Sequence, residues 1–277
     1  MLDKFYYDDL IMMALKEDMP LGDITTENII RAGTRAKAML IARQDAVIAG
    51  LDVFERVFKL LDANTAFTRH VQDGGHVAEG DVFMEFEGEA AILLKGERTA
   101  LNFLQHLSGI ATKTAEFCKL VEDLPVKIVD TRKTTPGLRH LEKYAVRIGG
   151  GYNHRFCLSD GVLIKDNHIK AAGGIKQAIE QVRAGLPHTL KIEVETESLE
   201  QVKEALEAGA DIIMFDNMSR EMMTQAAKLV GKRAITEASG DVHMDTVRDV
   251  ALTGVDIVSI GELTHTVKAA NISMRFV

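Results

Sequence analysis

The chain has 277 residues, 46% hydrophobic and 27% charged, with a net charge of -8, a globular composition that excludes disorder and suffices for one large domain or two smaller ones. No apolar run approaches the roughly eighteen residues of a membrane helix, and the opening MLDKFYYDDLIMMALKED has acids where a secretion signal needs a basic start, so a cytoplasmic protein is expected. An acidic balance with 5% aromatic residues and no Trp argues against a nucleic-acid surface, and Cys118 and Cys157, outside any CxxC spacing, predict reduced thiols.

Residues 3 to 17 predict a helix with Leu10, Ile11, Ala14 and Leu15 on one face, stopped by Pro20 and Gly22. AKAMLIARQDAVIAG (36–50) alternates as a strand does, and DVFERVFKLL (52–61) is a short amphipathic helix. Residues 67–94 read as short strands broken by Asp-Gly-Gly and Glu-Gly turns. Together they predict an α+β module. From Gly96 a helical pattern through Leu101, Leu104, Leu107, Ala111 and Ala115 runs to about Leu124, where Pro125 stops it.

After Pro125 the segments VKIVD, GVLIK, KIEVET, DIIMFDN, RAITEASG and DIVSIGE are short, apolar and β-branched, with helices between them. That is the pattern of parallel strands joined by right-handed crossovers. An internal echo supports it: Leu199 to Asn217 lies over Met244 to Glu262 at an offset of 45 residues, Gly209 over Gly254 and Asp211 over Asp256. The same offset sets Glu195 over Gly240 and Asp216 over Gly261. In a parallel α/β barrel the reactive groups sit at the carboxyl ends of the strands, so Glu195, Asp216, Gly240 and Gly261 are expected at one mouth. Lys133 and Lys165 leave their strands at the same rim.

The charge reverses locally between Asp130 and Lys170. Eight Lys and Arg (132, 133, 139, 143, 147, 155, 165 and 170) face three acids after Asp130, with His140, His154 and His168 interleaved and a triple glycine at 149–151. Cations gathered beside glycines and strand ends suit a multiply anionic small molecule. The EASGD and SIGE loops place Gly240 and Gly261 between strand and helix, where backbone N–H groups can take a phosphate, with Ser239 adding a hydroxyl. Glu195 and Asp216 are better suited to ribose hydroxyls, a hydrated Mg2+ or positive charge on a sugar carbon than to a glycosidase pair, which needs no cation cluster. The three histidines lack a zinc spacing. A Schiff-base amine at Lys165 is the alternative chemistry, and it leaves the other cations unexplained.

The motifs DTRKTTPGLR, EKYAVR, GGG with NHR, and VLIKDNHI closely resemble the quinolinate phosphoribosyltransferase family. So do GDITT (22–26), ERTALNFLQHLSGIAT (97–112), ADIIMFDNMS (210–219), EASG (237–240) and GELTH (261–265), so the likeness spans nearly the whole chain. The resemblance implies an open α/β barrel domain at 106–265 and an N-terminal α/β sandwich domain at 1–105, completed by the tail 266–277. It implies transfer of phosphoribosyl from 5-phosphoribosyl 1-diphosphate to quinolinate, with loss of CO2, giving nicotinate mononucleotide and diphosphate for NAD synthesis. Arg132, Arg155 and Lys165, with Thr131 and His154 nearby, would then hold the two quinolinate carboxylates, and Lys133 the diphosphate. Glu195 and Asp216 would meet the ribose and, through water, its Mg2+. Ser239, Gly240, Asp241, Ile260, Gly261 and Glu262 would cradle the 5-phosphate. Lys133, Lys165, Glu195 and Asp216 are thereby the expected catalytic residues, and Arg98 would enter the site of the partner in a homodimer or larger assembly. Two positions depart from the family pattern: Tyr152 stands where His is common, and Asp241 where the phosphate loop usually has a second glycine. A relative acting on another pyridine, or a polyanion sensor without turnover, are the rival functions.

Overall fold

The computed structural model describes residues 3–277. Helices α1 (Asp8–Asp18) and α2 (Ile24–Ile29) precede β1 (Arg35–Ala42), β2 (Ala46–Val47), α3 (Leu51–Leu61), β3 (Ala66–Arg69), β4 (His76–Val77) and β5 (Val82–Glu89). The long α4 (Ala90–Leu120) leads to β6 (Lys127–Val129) and α5 (Arg139–Ile148). Then come β7 (Val162–Ile164), α6 (Asp166–Ala172), α7 (Ile175–Gly185), β8 (Ile192–Thr196), α8 (Leu199–Glu207) and β9 (Ile212–Asp216). They are followed by α9 (Arg220–Val230), β10 (Ile235–Ser239), α10 (Val247–Ala251), β11 (Ile257–Ser259), α11 (Glu262–His265) and β12 (Ile272–Phe276).

Two compact units result. One comprises the residues up to Ala115 together with Thr135–Gly150 and Thr266–Val277; the other comprises Glu116–Thr134 and Gly151–His265. The helical periodicity has no break near 105, and α4 runs through that position. Its start also differs from the expected Gly96: β5 passes directly into helix at Ala90, whose N–H donates to the Thr34 carbonyl at 2.7 Å. Gly96 is interior to the helix for a packing reason, since a Cβ there would lie 2.7 Å from the Phe58 ring.

The first unit is built on an antiparallel sheet in the order β12-β1-β5-β3. The tail pairs with β1, Leu40 opposite Met274, and so completes this sheet. Its core is aromatic. Phe54 and Phe58 on the buried face of α3 meet Phe67 and Phe86 of the sheet with ring centroids 5.2 to 6.1 Å apart, near the geometry aromatic pairs prefer.

The second unit is a six-stranded parallel sheet, β6-β11-β10-β9-β8-β7, with β6 and β7 at its two edges. It is the open barrel that the strand–helix rhythm predicts. The 45-residue echo has a structural cause. Asp211, just before β9, accepts the Ile192 N–H at the start of β8 at 2.9 Å, and Asp256, just before β11, accepts the Thr236 N–H near the start of β10 at 2.8 Å. Each repeat thus pins its neighbour's first residues, while Gly209 (φ +81) and Gly254 (φ +91) supply the left-handed turn between helix and strand.

Candidate active site

Parallel register decides which side chains share the mouth of the barrel. Glu195 in β8 is opposite Met214 in β9, and Asp216 at the end of β9 is opposite Ser239 at the end of β10. Around these ends lies a cavity of about 770 Å3, lined by Thr131, Arg132, Lys133, His154, Arg155, Lys165, Glu195, Asp216, Ser239, Gly240 and Asp241 among others. The structure therefore gathers eleven of the residues singled out in the sequence. Ile260, Gly261 and Glu262 follow β11 without lining the cavity, although a Cβ on Gly261 would lie 3.0 Å from Lys133 Cδ. Arg98 is exposed on α4 and belongs to the other unit. So do Arg139, Lys143 and Arg147, on α5, so the basic stretch is divided between the two units.

The cations are held by different means. Arg132 has its Nε buried with no hydrogen-bond partner among the described residues, a donor left for a ligand. Arg155 donates from Nη1 to the Gly161 carbonyl at 2.8 Å. Burial, and then the neighbouring Arg132, lower the pKa of Arg155, a sign of crowded positive charge seeking an anion. Lys165 pairs with Glu195, Nζ to Oε1 at 2.5 Å, and its N–H donates to His168 Nδ1 at 3.0 Å at the head of α6. Lys133 is anchored through its backbone, its N–H donating to Thr131 Oγ1 at 3.0 Å and its carbonyl accepting from Thr264 at 2.8 Å. Its side chain stays exposed.

The acids differ as well. Half-buried Glu195 has its pKa raised by burial, against the pull of Lys165. Asp130, fully buried, accepts from Asn153 Nδ2 at 2.5 Å and from the His154 N–H at 2.9 Å, which fixes the Asn-His-Arg segment beside β6. The structure accounts for both departures from the family pattern. Tyr152 carries its ring outward, 43% exposed, with Lys127 Nζ 5.2 Å from its centroid. Asp241 lies at φ +50 in the glycine loop, and its carboxylate turns to His243 Nε2 at 2.8 Å. Gly240 has no substitute here, since at φ +99 a Cβ would collide with Asn217.

Sequence reading missed a second layer. Glu193 and Glu237 stand two residues before Glu195 and Ser239 on the same strands, hence on the same face. The signal was present in the alternations Ile-Glu-Val-Glu and Thr-Glu-Ala-Ser. His154 Nε2 lies 3.0 Å from Glu193 and 3.7 Å from Glu237. Its Nδ1 accepts from the Arg155 N–H at 2.8 Å, so Nε2 carries the ring proton and has no lone pair for an ion. These three residues form a group with ligand atoms all within 4.8 Å, and the tautomer makes it a proton-sharing group. Burial, and then Glu193, push Glu237 up to about 8.

Two family models cover the chain: quinolinate phosphoribosyl transferase N-terminal domain over residues 23–108 and C-terminal domain over residues 110–275. A probable nicotinate-nucleotide pyrophosphorylase (carboxylating) of Bacillus subtilis is 47% identical over 258 residues, 93% of this chain and 89% of that one. A mitochondrial quinolinate phosphoribosyltransferase (decarboxylating) of Nicotiana glauca is 40% identical over 286 residues, 96% of this chain and 81% of that one. The crystal structure of NadC from Streptococcus pyogenes superposes with a TM-score of 0.96 at 47% identity, covering 99% of this chain and 97% of that one.

Proposed function

The chain belongs to the quinolinate phosphoribosyl transferase family, and on that premise we propose how the mouth of its barrel divides the work. The enzyme transfers phosphoribosyl from 5-phosphoribosyl 1-diphosphate to the ring nitrogen of quinolinate, with decarboxylation, giving nicotinate mononucleotide, CO2 and diphosphate in NAD biosynthesis. The observation that carries the assignment of residues is one cavity with Arg132, Arg155 and Lys165 beside Glu195 and Asp216. Arg132, whose buried Nε has no partner among the described residues, Arg155 and Lys165 take the two carboxylates, with Thr131 and His154 beside them. Lys133 reaches the diphosphate. Ser239, Gly240 and Gly261, with the backbone of Asp241, Ile260 and Glu262, hold the 5-phosphate.

The chemistry needs this division. Breaking the bond to diphosphate develops positive charge on the ribose carbon and negative charge on the leaving group, so Glu195 and Asp216 near the sugar and Lys133 near the diphosphate both stabilise the transition state. The hard carboxylate oxygens of Asp216 and Glu195 would hold a hydrated Mg2+, which would offset the charge of the diphosphate. When CO2 leaves, its bonding electrons stay on the carbon beside the pyridinium nitrogen and a proton replaces it, so no protein nucleophile is required. The cations must bind the 2-carboxylate without opposing its departure.

Arg98, exposed on α4, enters the mouth of a partner subunit, so the working form is at least a homodimer. Among the described residues no helix is long and apolar enough to cross a membrane, in keeping with a cytoplasmic enzyme. Purified protein given quinolinate, phosphoribosyl diphosphate and Mg2+ is expected to release CO2 and form nicotinate mononucleotide. Turnover of nicotinic acid without turnover of quinolinate would overturn the decarboxylating assignment.

A further inference from the structure

Glu193 and Glu237 are 4% and 2% exposed, and His154 Nε2, which carries one hydrogen, lies 3.0 Å from Glu193 Oε2 and 3.7 Å from Glu237 Oε1. The histidine hydrogen is within hydrogen-bond reach of Glu193 alone. Glu193 Oε1 and Glu237 Oε1 are each left with no hydrogen-bond partner among the described residues. Two carboxylates at this distance, away from water, cannot both be ionised; one keeps a proton. Of the two, Glu237 is the one farther from the histidine. Glu193 lines a cavity of about 690 Å3 at the amino ends of the strands and not the mouth, whereas Glu237 lines both.

We propose that Glu237 is a further quinolinate-binding residue: as the neutral acid it offers a hydrogen-bond donor to the dicarboxylate from the floor of the mouth, and its ionisation expels the substrate. The inference rests on the mouth being the quinolinate site. Its physics is charge counting. Loss of the proton adds one negative charge to the floor, under a dianion that Arg132 and Arg155 attract. The direction of the shift at Glu237 agrees, being upward through burial. The groups facing Glu237 are Glu193 from β8, His154 and Arg155 from the segment after the triple glycine, and the Ser259 hydroxyl from β11. Asp160 and Lys191 face the cavity at the amino ends of the strands, and Arg132, Lys133, Lys165, Asp166, Glu195, Asp216 and Asp241 face the mouth.

The test is calorimetric titration of the whole protein with quinolinate from pH 6.5 to 9.5, in buffers of different ionisation heat. Both substrate carboxylates stay ionised throughout, so the change belongs to the protein. Affinity is expected to fall about tenfold between pH 7 and pH 9, and binding at pH 9 to take up close to one proton. Glu237→Gln keeps a donor and loses the titration. It should bind within a few-fold of the parent at pH 7, stay level to pH 9 and take up no proton. Should that variant fail to fold, Glu193→Gln serves in its place: with the neighbouring acid gone, Glu237 ionises lower, so the alkaline fall moves toward neutral pH. A level wild-type profile without proton uptake overturns the proposal, as does an alkaline fall that survives in Glu237→Gln. No quinolinate heat at any pH, with no turnover, would instead overturn the assignment of the mouth.

Discussion

The core around α3 in the first unit and the interior of the barrel bury their side chains on opposite terms. Around α3 the core is hydrocarbon, with Phe54, Phe58, Leu51, Val53 and Val57 all fully or nearly fully buried. The charged groups on that helix turn outward, Arg69 bridging Asp52 and Glu55 at 2.6 Å each. Inside the barrel, Asp130, Glu193 and Glu237 are buried as deeply as those phenylalanines. A buried carboxyl costs stability unless it is paired or protonated, so a fold that carries three at one place has kept them for something other than stability. The lesson is that the aromatic core around α3 is a scaffold and the barrel interior is a site.

The largest expected effect tests the scaffold. Phe58→Ala removes a ring packed against three other phenylalanines and lying over Gly96, and should cost about 3–5 kcal/mol of unfolding free energy, read by denaturant titration. Quinolinate binding by the fraction that remains folded should be unchanged. A loss under about 1 kcal/mol would break the contrast.

Lys165→Ala reverses the pattern. Lys165 is 48% exposed, so the thermal midpoint should move little, while turnover falls about a hundredfold or more through loss of a substrate-facing charge. Arg98→Ala should be as inactive, and mixed dimers of the two variants should regain activity that neither parent has. Absence of rescue would count against a site shared between subunits.

The sequence already revealed the scaffold's strand and helix alternation and the order of the barrel strands, because hydrophobic periodicity and the 45-residue echo are properties of the chain. Glu195, Asp216, Lys133 and Lys165 were legible because they end strands, and strand ends of a parallel barrel share a mouth. Glu193 and Glu237 were not, since an acid within an apolar strand can point to solvent on one face or to the barrel interior on the other, and only the register decides. The start of α4 was missed because Ala90–Leu94 suits strand and helix alike. Nor could composition show that Arg139, Lys143 and Arg147 belong to a helix of the other unit, since charge counting ignores which way the chain turns after Pro136.

The smallest expected effect lies at the edge of the site, where the barrel handles an exposed acid rather than a buried one. Asp241 places a carboxylate in the loop assigned to the 5-phosphate, and His243 bridges it to Glu262, with contacts of 2.8 and 3.3 Å. Hydrogen bonds from the ring to Glu262 and then to Asp241 raise the imidazole pKa. A raised histidine is charged below that pKa and neutral above it, so the compensation of Asp241 is present at lower pH and fades as pH rises through the shifted value. His243→Ala should therefore raise KM for phosphoribosyl diphosphate about two- to fivefold below that point, the scale of exposed ion pairs, and leave KM for quinolinate alone. In an Asp241→Gly background the same substitution should have no effect, because the charge it balances is gone. Equal penalties in both backgrounds would mean that His243 acts on the phosphate loop in some other way. They would also end the analogy with Glu237, where a neighbouring acid is silenced by keeping its own proton rather than by borrowing the charge of a histidine.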